Sequence, residues 1–125
     1  MTDFIKVQIK EWISWIKNER RLSIKTTSSY GVDVNSMIDF LNDYYNEEIS
    51  PNIIENLDED DLSAWFYNRL KKGVSHRSNA RALSSLKSFL SFMILKNKIK
   101  NSQILKIKGP RFLQSLPRPL SKNQI

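Results

Sequence analysis

Ser75-His76-Arg77-Ser78-Asn79-Ala80-Arg81-Ala82-Leu83-Ser84-Ser85-Leu86-Lys87-Ser88-Phe89-Leu90-Ser91-Phe92-Met93-Ile94-Leu95-Lys96-Asn97 is the stretch on which the fold turns. At about 100° per residue, Leu83, Leu86, Leu90 and Met93 gather on one side of a helix. Arg77, Arg81, Ser84 and Ser88 gather on the other, with Lys87 on the flank. One side therefore faces a core and the other is free to carry charge. Phe92 and Leu95 make the last turns apolar nearly all round, so that end lies under another segment or against a partner.

Three more helical runs precede it. Ile5, Ile9, Trp12, Ile13 and Ile16 form one apolar stripe, closed by the charged Glu19-Arg20-Arg21. Tyr30, Val34, Met37, Ile38 and Leu41 form a second, for which Thr26 or Thr27 is the expected N-cap. Gly31 sits inside that helix, where it costs about 1 kcal/mol relative to Ala; close helix packing and tolerated imperfection are both open. Asn46 to Asn56 is polar, contains Pro51 and reads as a loop. Asp58 then caps a third helix carrying Leu62, Trp65, Phe66 and Leu70, which closes at Gly73. Its acids Asp58 to Asp61 come first and Lys71-Lys72 last, the order the helix dipole favours. Trp12 and Trp65 lie on apolar stripes and belong to the core, whereas Trp15 lies off the main stripe and is a candidate for packing between subunits.

The periodicity stops after Asn101. Lys106 to Arg111 and Leu116 to Leu120 read as extended around Pro110, Pro117 and Pro119. Ser121 to Ile125 resembles the opening of a further helix. The expectation is an all-α protein, a four-helix domain over residues 1–105 with an extended basic linker over 106–125.

Charge divides the chain. All thirteen acids lie at or before Asp61, and fourteen Lys and Arg follow Leu62 without one acid. The two parts balance at −7 and +14. A cationic stretch without counter-charges repels itself, and its natural partner is a polyanion such as duplex DNA. A basic solvated tail with no partner would have the same composition.

Catalysis has little to work with: one His, no Cys, three Gly without a phosphate-binding motif, and no His/acid cluster of metal-ligand spacing. No catalytic residue, metal, cofactor or small-molecule substrate is expected. No apolar run is long enough to span a bilayer, and Met1-Thr2-Asp3 does not open a signal peptide. The expected place is cytoplasmic, on the nucleoid where DNA is the partner.

The candidate binding residues cluster at two helix starts. Ser75, His76 and Arg77 put cations where the dipole disfavours them, and Arg81, Ser84 and Lys87 continue along the helix. Free amides, a hydroxyl and cations together can bind phosphate. Lys25, Thr26, Thr27 and Ser28 repeat the pattern at the second helix, and Lys108 and Arg111 add charge in the extended segment. A polar face that only keeps the domain soluble is the plainer reading of the same residues.

Three pieces, in this order and spacing, resemble the tyrosine recombinase (phage integrase) family, closest to its Xer-like subgroup. Glu19-Arg20-Arg21-Leu22-Ser23 with Thr26, Tyr30 and Phe40-Leu41 resembles the opening of that family's SAM-like core-binding domain. Arg81 to Phe89 resembles its last helix, and Leu116 to Ser121 the junction to its catalytic domain. Three positions depart from the pattern: Ala82 where a second base is common, Ser85 where Ala is usual, and Asn101-Ser102 in place of Asn-Pro. The resemblance implies a DNA-binding domain that clamps one half of a two-armed recombination site, other recombinase subunits in a tetrameric synapse, and a catalytic Tyr in a following domain. Tyr30, Tyr44, Tyr45 and Tyr67 are then not nucleophiles, and Tyr30 is expected to pack. The alternatives are a repressor-type nucleic-acid-binding module and a protein-interaction domain docking through the apolar end of the last helix.

Overall fold

The computed structural model describes residues 3–116. Among these residues six α-helices succeed one another: α1 (Asp3–Asn18), α2 (Ile24–Tyr45), α3 (Pro51–Glu55), α4 (Glu59–Lys71), α5 (His76–Leu95) and α6 (Gly109–Ser115). A 3-10 turn, Gln103–Lys106, lies between α5 and α6, and the described residues hold no strand. The four long helices are those expected from the apolar stripes, and the all-α expectation holds.

Helix α5 is the axis of the domain, packed against α1, α2, α4 and α6. Ala82, Leu83, Leu86, Phe89, Leu90, Phe92 and Met93 are all buried on it. Each large apolar side chain so buried contributes about 1.5–3 kcal/mol through removal of its surface from water. Trp12 lies inside the same core, edge-on to Phe89 and stacked with Tyr30, and its indole N–H donates to Ser88 Oγ at 3.0 Å. Ser88 is therefore spent on the core rather than on the outer face. Trp15 packs within the chain, with its ring 5.4 Å from that of Phe92 and Arg20 over its face; this covers part of the apolar end of α5.

Gly31 is buried where α2 meets α1, and a Cβ there would come within 3.1 Å of Ile13 Cδ1. Of the two readings, close packing is the one that applies. Gly73, at φ +89°, ends α4. Val74 N–H reaches Arg69 O and Gly73 N–H reaches Leu70 O, the paired bonds of a Schellman cap. Asn97 does the same after α5, at φ 59°.

Several expectations change. The N-cap of α2 is Ser23, whose Oγ accepts from Thr26 N–H at 3.1 Å, so Thr26 and Thr27 are already helical. The loop expected over Asn46 to Asn56 contains α3, because Ser50 caps it and Pro51 stands at a first-turn position that needs no N–H. Glu55 of α3 then accepts from the backbone N–H groups of Lys100 and Asn101. The extended reading of Lys106 to Arg111 fails at Gly109, where α6 begins around Pro110 in its first turn. The core also runs beyond Leu95: Ile99, Ile104, Phe112 and Leu116 are each 6% exposed or less. Ser102, which departs from the family pattern, is buried and its Oγ accepts from Ile104 N–H. The expectations for Pro117 to Ile125, Arg118 and Lys122 included, lie outside the described residues.

Candidate nucleic-acid interface

The two helix starts chosen from sequence share one construction. Ser23 caps α2 and Ser75 caps α5, each with its Oγ accepting from the amide three residues on at 3.1 Å. Neither helix has an acid in its first turn. Lys25 and Ser28 are exposed at the first start and Thr26 is half-buried; Ser75, His76 and Arg77 are exposed at the second. Each hydroxyl satisfies one amide and leaves the rest of the first turn's N–H groups, and the positive end of the dipole, facing outward. Arg77 makes no hydrogen bond or ion pair among the described residues.

Three of the candidates turn inward. Thr27 is 6% exposed and its Oγ1 is buried without a hydrogen-bond partner among the described residues, because residue 27 falls on the side of α2 that meets α1. Arg81 leans across to α2, where Nε and Nη2 donate to Asp33 Oδ2 and Oδ1, both at 2.9 Å. Ser85, one turn further along α5, lies against the same carboxylate. Lys87 is half-buried and its amine donates to the Ile107 carbonyl. That bond ties the connector carrying Lys106 and Lys108 to the middle of α5.

Ser84 stays exposed on α5, and Lys108 and Arg111 are exposed as well. Lys106, Lys108 and Arg111 line one open groove with Gln103, Phe112 and Glu59. The candidates therefore form two groups, one at the starts of α2 and α5 and one around α6. Lys87 stands on α5 and is bonded to the segment that leads to the second.

Sequence reasoning missed the residue on which the α2–α5 contact is built. Asp33 is 1% exposed. Its carboxylate receives both Arg81 bonds and lies 2.9 Å from the Ser85 hydroxyl, with Arg69 Nη2 4.0 Å away. Arg69 in turn donates to Asn79 Oδ1 at 2.7 Å and lies over the Trp65 ring. The hydrogen bond to Asp33 raises the pKa of Arg81, whereas burial lowers that of Arg69 against the attraction of Asp33. Two guanidiniums thus share one carboxylate, and the cluster keeps a net positive charge. The signal was present in the sequence: Asp33 stands one turn before Met37 and two before Leu41 on a buried stripe, where a lone acid requires a base.

Beside the C-terminal end of α2, Asp58 and Asp61 cap α4 reciprocally. Asp61 also accepts from Tyr45 OH at 2.7 Å. Burial and that bond raise the Tyr45 pKa. No group of three or more His, Cys, Asp or Glu among the described residues is placed to hold a metal, and no described helix is long and apolar enough to cross a membrane.

A short helical domain built on one central helix, with capped cationic helix starts, agrees with what the chain matches by sequence. Residues 9–97 match the phage integrase, N-terminal SAM-like domain family, and the chain belongs to that family of recombinase N-terminal domains. Among curated relatives, "Tyrosine recombinase XerC" of Bradyrhizobium diazoefficiens is 34% identical over 116 residues, covering 93% of this chain and 36% of the relative. The protein of the same name from Agrobacterium fabrum is 30% identical over 115 residues, 92% and 36% of the two chains. That of Rickettsia typhi is 28% identical over 121 residues, 97% and 40%. The chain thus spans 36–40% of the length of these relatives, matching their N-terminal part. No solved structure matches.

Proposed function

We propose that this chain is the DNA-gripping domain of a site-specific tyrosine recombinase. It clamps one side of a recombination half-site, with the starts of α2 and α5 toward the duplex, and positions a following domain that cleaves DNA through a phosphotyrosine. The observation that carries this reading is the pair of serine-capped, acid-free helix starts bearing Lys25, His76 and Arg77. Free amides and cations at a helix start are complementary to phosphate. Arg81 and Ser84 stand along α5 from the same start, and Lys106, Lys108 and Arg111 supply a second set of backbone contacts. Helix α6, packed on the core, belongs to the gripping unit, and the sequence after Leu116 leads toward the catalytic domain.

The chain alone grips and does not cut. Tyr30 is stacked on Trp12 and Tyr45 is bonded to Asp61, and both have structural work. Incubated with nicked suicide duplexes, the 125-residue chain forms no covalent adduct, but it retards a recombination-arm duplex in a salt-dependent manner. An adduct on any of its tyrosines, or binding to no duplex at low salt, would overturn the reading. Contacts with other recombinase subunits in a tetrameric synapse are part of the proposal.

A further inference from the structure

We propose that Asp33 is a positioning residue for recognition: it holds Arg81 side-on, so that the remaining edge of the guanidinium is presented to the duplex in one fixed orientation. This rests on the reading of α5 as a DNA-facing helix and specifies how one residue of that face selects its target.

A guanidinium has five N–H donors in a rigid plane. Asp33 occupies Nε and one hydrogen of Nη2, through two bonds of 2.9 Å. Three donors remain: one on Nη2 and one on Nη1 form the end-on edge of the fork, and the second Nη1 hydrogen points back along the side of the stem. The two partners differ in exposure. The Asp33 side chain is 2% exposed and that of Arg81 43%, so the open part of the pair is the guanidinium. The carboxylate is itself fixed. Ser85 Oγ lies 2.9 Å from Oδ2 and Arg69 Nη2 4.0 Å from Oδ1, and Arg69 is held by Asn79 and Trp65. An exposed Arg on a free stem samples many rotamers and loses that freedom on binding. Here the freedom is already lost in the free protein, and the planar edge is preorganised for two parallel bonds. Such an edge fits the O6 and N7 acceptors of guanine in the major groove.

The charge balance makes the proposal separable from simple electrostatics. Asp33 offsets one positive charge close to the binding face. If Arg81 acted only through its charge, Asp33→Asn would raise the local potential and tighten binding to every duplex. If Asp33 positions Arg81, the same substitution loosens the fork and erodes base preference.

The experiment selects bound sequences from a random-sequence duplex library, with the 125-residue chain as wild type, Arg81→Ala, Arg81→Lys, Asp33→Asn and Ser85→Ala. Folding of each is checked by thermal melting. The wild type is expected to enrich a defined base at one or two positions that Arg81→Ala loses. Arg81→Lys keeps the charge without the fork, and its preference there falls about tenfold while its affinity for the unselected pool falls about twofold. Asp33→Asn reduces the preference by a similar factor without a loss of pool affinity. Ser85→Ala leaves both charges in place, so it tests the same point where Asp33→Asn fails to fold, and reduces the preference about threefold. If Arg81→Ala flattens the preference while Asp33→Asn and Ser85→Ala retain the wild-type profile, Arg81 touches DNA and Asp33 does not position it. The proposal then fails alone. If Arg81→Ala itself keeps the wild-type profile, Arg81 reads no base and the proposal fails at its first step. If the wild type binds no duplex, the DNA-gripping reading fails first and takes this one with it.

Discussion

Helix α4 begins with Asp58, Glu59, Asp60 and Asp61; helix α5 begins with Ser75, His76, Arg77 and Ser78. Both present unpaired amides and the positive end of a helix dipole. At α4 the chain answers with its own carboxylates. Asp58 and Asp61 cap each other's backbone, and Asp61 also holds Tyr45 at the end of α2. At α5 one hydroxyl satisfies one amide, and the first turn carries Arg77 and no acid. The first start is electrostatically complete; the second adds positive charge to positive charge and keeps it in solvent. A helix start that is left incomplete in this way is suited to an anion from outside the chain. The two starts thus differ in both cap and charge: a reciprocal carboxylate box at α4, and a single hydroxyl with no acid in the first turn at α5.

The largest effect expected from breaking the comparison lies at α4. Asp61→Ala removes one half of the capping box and leaves the Tyr45 hydroxyl without its acceptor. A lost cap costs about 0.5–2 kcal/mol and a hydrogen bond to a charged group about 1.5–3 kcal/mol. Since the two overlap, the expected loss is roughly 2–4 kcal/mol, and urea unfolding measures it. DNA affinity well below the melting temperature should change by less than about twofold. Unchanged stability together with weakened DNA binding would show that the α4 acids serve the partner, and the contrast between the two starts would collapse.

Arg77→Glu sharpens the comparison by giving α5 the kind of charge that α4 has. An acid in the first turn stabilises a helix by about 0.3–1 kcal/mol, so the variant should unfold at slightly higher urea. Binding should move the other way. Loss of a phosphate contact and a new repulsion weaken duplex binding by about 1–2 kcal/mol and lower the log–log salt slope by roughly 0.9. Opposite signs in two assays of one variant are the diagnostic. A variant that is less stable and binds as the wild type would mean that Arg77 serves the fold.

The four long helices were legible because their apolar residues recur every three to four positions over many turns. The cap Asp58 and the closing Gly73 were legible because few residues suit those backbone positions, and Ser75 was legible as a helix start. The short helices were not, since five and seven residues make too few turns to show a period. Their local signals, Ser50-Pro51 and Gly109-Pro110, were read as breaks although Pro also starts helices. The candidate site was legible as a charge pattern but not as geometry. A helical wheel puts Arg81 opposite Leu83 and stops there. That it crosses to a buried Asp33 depends on where α2 lies, which one helix's periodicity does not contain. Thr27 failed for the related reason that hydroxyl residues at a helix start suit cap, surface and buried positions alike.

Thr27 also supplies the smallest test. It stands in the start of α2 beside the exposed Ser28, yet its hydroxyl is buried and unpaired among the described residues. Thr and Val have nearly the same shape and similar helix propensity, so Thr27→Val removes a polar group at little steric cost. Relief of an unsatisfied buried hydroxyl is worth about 1 kcal/mol or somewhat less. The variant should therefore be more stable than the wild type by about 0.5–1 kcal/mol, with duplex affinity unchanged. Ser28→Ala should do the reverse, leaving stability nearly unchanged and weakening binding by a few tenths of a kcal/mol, as expected for one neutral contact to phosphate. Paired urea and salt-titration measurements on the two variants decide the matter. If Thr27→Val weakens DNA binding and Ser28→Ala does not, the inward hydroxyl reaches the duplex in the complex. The start of α2 must then rearrange on binding, while α5, with Arg81 locked to Asp33, keeps its place.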